Sequence, residues 1–153
     1  MTETDPHDLK RFVAAQEPVF ASALAELRAG RKRTHWMWFV FPQLRGLGHS
    51  PTATYYGIAS LDEARAYLAH PLLGPRLELC TNAVCGIEGR TLHEIFGSPD
   101  DMKFHSSMTL FAVAACDAAS PYRGALKRRF DGKPDPQTLG LLGLTQLQDA
   151  GTG

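Results

Sequence analysis

Trp36-Met37-Trp38-Phe39-Val40-Phe41, six apolar side chains in a row closed by Pro42, is the stretch that could turn the fold either way. Its length and aromatic content suit a buried strand as well as a short helix. A strand needs a partner, and only Thr54 to Ile58 offers one. Two strands alone are marginal unless helices cover them. The run is therefore read as a short buried helix capped by Thr34, with a small hairpin as the alternative.

The rest of the chain tips the balance toward helix. Ser or Asp stands directly before Pro at Asp5-Pro6, Ser50-Pro51, Ser98-Pro99, Ser120-Pro121 and Asp135-Pro136. Each pair reads as a helix start: the side-chain oxygen accepts from a first-turn N–H, and proline at the first helical position loses no bond. Ser60 with Glu63 and Thr91 with Glu94 add two starts at capping-box spacing. Apolar stripes agree. Leu9, Phe12 and Val13 form one, Phe20, Ala23, Leu24 and Leu27 a second beyond Pro18, Leu77, Cys80, Val84 and Ile87 a third, and Phe104, Met108, Phe111 and Ala115 a fourth. The expectation is an all-α (mainly α) fold: one compact orthogonal bundle of about seven to nine short helices over residues 1–142, with at most a minor hairpin, and a flexible tail over 143–153.

With 44% hydrophobic and 21% charged residues in 153, the chain has the composition of an ordinary soluble globular domain. Sixteen Lys and Arg balance sixteen Asp and Glu, which disfavours a nucleic-acid partner. Arg31-Lys32-Arg33 and Lys127-Arg128-Arg129 read as solvated helix ends. The polar start and the lack of a long apolar stretch exclude a signal peptide and a membrane span, so a cytoplasmic protein is expected. Cys80, Cys85 and Cys116 have no metal-clip or Cys-x-x-Cys spacing and read as reduced thiols.

Arg33-Thr34-His35-Trp36-Met37-Trp38-Phe39-Val40-Phe41-Pro42-Gln43 followed by Gly46-Leu47-Gly48 closely resembles the signature of a bacterial family known as domain of unknown function 1810 (DUF1810). Asp62 to Leu68, His70-Pro71, Lys103 with Ser106 to Phe111, and Asp135 with Thr138 follow in the family's order. The resemblance runs from about Leu9 to Leu142 and implies a compact, mostly helical fold and no established activity. Members are sometimes labelled calpastatin, a name belonging to a disordered repeat inhibitor that this core-rich chain does not fit.

Three places could carry chemistry. In the aromatic block, Trp36 and Trp38 beside Arg33, His35 and Gln43 could form a stacking wall with hydrogen-bonding groups for a flat ligand; the plainer account is core. Gly46 to Ser50, flanked by Arg45 and His49, could cradle an anion, though a plain loop explains it and no nucleotide-binding motif is present. Lys103 with Ser106 and Ser107, three and four residues on along one helix, could pair a base with a hydroxyl; serines bonded one turn back are the plainer account. The six histidines form no metal motif, so no metal and no cofactor are expected, and the carboxylates fall at helix starts. The functional expectation is a small-ligand site for an anionic or planar metabolite, lined by Arg33, His35, Trp36, Trp38, Gln43, Lys103, Ser106 and Ser107 and compatible with an enzyme. The alternative is a non-catalytic protein-interaction module in which the aromatic block partly surfaces. Oligomeric state is not encoded in any pattern here.

Overall fold

The computed structural model describes residues 5–147. Within them the chain forms ten α-helices and no strand: α1 Lys10–Gln16, α2 Phe20–Arg28, α3 Met37–Val40, α4 Pro51–Tyr55, α5 Leu61–Ala69, α6 Leu73–Cys85, α7 Leu92–Phe96, α8 Asp100–Ala115, α9 Pro121–Phe130 and α10 Pro136–Leu141. The fold is all-α, and the helices are slightly more numerous than expected.

Most of the proline punctuation does what its chemistry suggests. Ser50, Ser120 and Asp135 sit in extended backbone and accept from Ala53, Arg123 and Thr138 N–H, each with proline next. Thr91 and Glu94 close a complete capping box on α7. Asp5 accepts from Leu9 and Lys10 N–H at 2.9 and 3.0 Å ahead of α1. Two pairs are exceptions: Pro6 lies in a turn, with α1 opening only at Lys10 behind Leu9, and α8 opens at Asp100 after Pro99 without a side-chain cap, Asp100 and Asp101 in its first turn complementing the helix dipole instead.

The axis of the molecule is α8, buried at every residue from Ser106 to Ala114. A helix buried on all sides needs neighbours on all sides, and α5, α7, α9 and α10 pack around it, with α6 closing against α5 and α9 and α2 against α6. Phe41 meets Phe96 and Phe104 edge-on at 6.0 and 5.1 Å, joining the aromatic block to α7 and α8. Cys80 faces this core, fully buried, and burial pushes its thiol up to about 12.

The ambiguous block is helical, as α3, but Thr34 does not cap it. Trp36 holds the N-cap position with no side-chain bond, because the Thr34 hydroxyl donates instead to Glu26 at 2.7 Å. In place of a hairpin there is one parallel bridge, Leu44 with Ile58, in which Arg45 N–H donates to Ile58 and Ile58 N–H to Gln43 at 2.8 and 2.9 Å.

Two buried polar links hold the first half together. Arg11 pairs with Glu63 at 2.7 Å, their side chains 4% and 5% exposed. Its remaining donors reach the carbonyls of His7, Asp8, Tyr55 and Gly57. Gln16 donates to the Phe39 carbonyl and the Tyr67 hydroxyl at 2.6 and 3.0 Å, tying α1 to α3 and α5. From the second basic run, Arg129 turns inward and donates to the Val84, Ile87 and Arg90 carbonyls, satisfying the end of α6. Beyond α10, Leu144 N–H donates to Leu139 O at 2.8 Å and Leu147 packs on the core; the remainder of the expected tail, 148–153, lies outside the described residues.

Candidate functional site

The short α3 and the bridge after it bring distant residues to one cleft. Trp38 comes from α3, Gln43 from the bridge, Ala53 and Tyr56 from α4 and its end, and Lys103 from the first turn of α8. The bridge lays Gln43 beside Gly57, where a Cβ would lie 2.8 Å from the Arg45 Cα and 2.9 Å from the Ala53 carbonyl oxygen, so only glycine fits. Trp38, Gln43 and Lys103, three of the residues expected at a site, thus meet.

Charge at the cleft is unbalanced. The Lys103 ammonium lies 4.6 Å from the Trp38 ring centroid and 3.6 Å from Asp100 Oδ1. The other oxygen of Asp100 is taken by Lys32 at 3.0 Å. Lys32 is itself 93% enclosed, since its side chain is only 7% exposed, and also donates to the Thr34 carbonyl at 2.6 Å. Two ammonium groups therefore share one carboxylate, and Lys103 holds the longer, weaker contact. The side-chain amide of Gln43 and the indole N–H of Trp38 make no hydrogen bond within the described residues. The enclosed part of the cleft measures about 10 Å³, room for about one water.

The other expected residues lie elsewhere. Trp36 is fully buried, and its indole N–H donates to Glu26 at 3.0 Å. Arg33 and His35 are exposed on the loop between α2 and α3 and do not line the cleft. The Ser106 hydroxyl shares its one proton between Asp135 Oδ2 at 3.1 Å and the Met102 carbonyl at 3.3 Å, pinning α10 to α8. Ser107, one turn beyond Lys103, is buried with its hydroxyl unpartnered. In the glycine loop, Arg45 donates to the Thr54 and Gly57 carbonyls, closing the end of α4.

Sequence reasoning missed Glu26, which organises the approach to the cleft. It accepts from Arg33 and Thr34 N–H, the Thr34 hydroxyl and the Trp36 indole at 2.7 to 3.0 Å. Partial burial pushes its carboxyl up, but these four donors outweigh that and bring it to about 2. A carboxyl lowered from its ordinary 4.5 adds stability above that pH, and the contribution is lost as pH falls toward about 2. Glu26→Gln is expected to flatten the acid limb of stability across this interval, read from denaturation midpoints against pH; an unchanged slope would remove Glu26 from this role. The only signal of Glu26 in the sequence was a carboxylate near the end of a helix, where the dipole gives it no favour.

A family model described as "Protein of unknown function (DUF1810)" matches residues 6–142. The crystal structure of a conserved hypothetical protein from Mycobacterium tuberculosis is similar to this chain, with 60% sequence identity and a TM-score of 0.88, over 92% of this chain and 100% of that one. No curated protein matches.

Proposed function

The chain belongs to the DUF1810 family, whose description names no activity, and from its own geometry we propose that it binds a small anionic ligand with a flat apolar part in the cleft of Trp38, Gln43 and Lys103. The observation that carries this is the sharing of Asp100 by Lys32 and Lys103 beside the Gln43 amide, which has no partner among the described residues. An excess positive charge set against an aromatic face and a free donor is the complement of such a ligand.

Because the enclosed space is about that of one water, a flat ligand reaches Trp38 only when the Lys103 ammonium leaves the ring. An anionic group compensates that departure by giving the ammonium a partner nearer than the 3.6 Å of Asp100. A neutral ligand offers no such exchange. The interaction-module alternative draws on the aromatic block surfacing in part; Trp36, Met37, Val40 and Phe41 are at most 2% exposed, and of the two half-buried members, Trp38 and Phe39, Trp38 lines the cleft, which supports a ligand there. We place this ligand in the bacterial cytoplasm, a reading supported by the Cys80 and Cys85 thiols.

The probe is 1-naphthoate, with 1-naphthol as its neutral counterpart. Naphthoate is expected to raise the melting temperature and naphthol is not. Lys103→Met and Gln43→Ala should each weaken naphthoate about tenfold or more, the loss of a hydrogen bond to a charged group. Equal binding of acid and alcohol, or affinity indifferent to Lys103→Met, would rule out the cleft as the site.

A further inference from the structure

We propose that the ligand of this cleft is a phosphate ester, its phosphate held by Arg31 and Arg33 on the loop that adjoins Lys32; the inference rests on the cleft being the binding site. Lys32 links the two places through Asp100, although it does not itself line the cleft. It shares Asp100 with Lys103 on one side, and on the other it lines a shallow surface hollow with Arg31 and Arg33.

The loop is held in place before any ligand arrives. Arg31 N–H donates to the Glu26 carbonyl at 3.0 Å and Lys32 N–H to the Ile95 carbonyl at 2.7 Å. Arg33 and Thr34 N–H are both held by the Glu26 carboxylate. Every one of these bonds uses backbone, so the Arg31 and Arg33 guanidinium groups are left exposed and without intramolecular partners among the described residues. The nearby carboxylates are committed: Glu26 to the loop and the Trp36 indole, Asp100 to the two lysines. A fixed backbone spares the loop the cost of ordering on binding, and the planar, forked donors of arginine match the oxygens of a phosphate better than a lysine does. A phosphate monoester also brings close to two negative charges, more than a carboxylate offers to a cluster with cations in excess.

The test compares 1-naphthyl phosphate, 1-naphthoate and inorganic phosphate on the wild-type chain and on the double variant Arg31→Ala/Arg33→Ala, whose loop bonds remain because they are made by backbone. Naphthyl phosphate is expected to bind about tenfold or more tightly than naphthoate, and the double variant to bring the two level while naphthoate affinity stays unchanged. A phosphate preference that survives in the double variant would overturn the inference, as would naphthoate binding as tightly as naphthyl phosphate; both leave the cleft standing. Inorganic phosphate binding through the two arginines as tightly as naphthyl phosphate would also overturn it, by separating the loop from the cleft. Failure of naphthoate and naphthyl phosphate alike would remove the cleft and this inference together.

Discussion

Arg11→Met is expected to lower the free energy of unfolding by about 3–5 kcal/mol, the cost of leaving a buried charge without its partner. Glu63 would be that charge: its side chain is 5% exposed, and one carboxylate oxygen accepts from Arg11 at 2.7 Å while the other accepts from Ala59 N–H at 3.2 Å. Arg11 also satisfies four carbonyls, at His7, Asp8, Tyr55 and Gly57, and these too would lose a donor. Urea denaturation at neutral pH reads the loss. The double variant Arg11→Met/Glu63→Met removes both charges and should recover a large part of it, since an apolar pair of similar size often replaces a buried ion pair without penalty. A single variant that loses less than about 1 kcal/mol would mean that water reaches Glu63 and the pair is not a dry one.

The second large effect separates the two tryptophans. Trp36→Ala is expected to cost about 3–5 kcal/mol, the range for removing a large buried aromatic. The ring is fully buried, 6.3 Å from Phe41, and its indole N–H is one of the four donors on Glu26. Trp38→Ala, at a half-buried position facing the cleft, should cost about 1 kcal/mol, in the range of ordinary substitutions, while abolishing naphthoate binding. Comparable destabilisation by the two variants would place Trp38 in the core and weaken its claim to the site.

What could be read from the sequence was local. Ser50, Ser120, Asp135 and Thr91 cap the helices expected of them because a cap is a bond between residues two or three apart, set by side-chain type and proline. Expectations failed where a distant partner competed. Its place before the block marks Thr34 as the cap of α3, but Glu26 from the preceding helix takes its hydroxyl. Ser60 caps α5 as expected, while Glu63 answers Ala59 and Arg11 in place of closing the box. At the site, Trp38, Gln43 and Lys103 were singled out by their unusual setting in the sequence, and the bridge and the start of α8 bring them together. The sequence shows Asp100 only as a helix-start acid; its role as the shared counter-ion depends on Lys32 and Lys103 arriving from two elements. Ser106 was set beside Lys103 by helical spacing, yet three residues on it already faces α10 and is held by Asp135.

The lone rung between Leu44 and Ile58 bears on whether this segment can pair with another strand. Its backbone groups are already committed, Arg45 N–H to Ile58 and Ile58 N–H to Gln43, and no second rung follows among the described residues. A sheet recruits further chains through a row of open amides and carbonyls along its margin. One closed rung has no such margin, so this aromatic-rich segment gives a neighbouring molecule nothing to extend by strand addition.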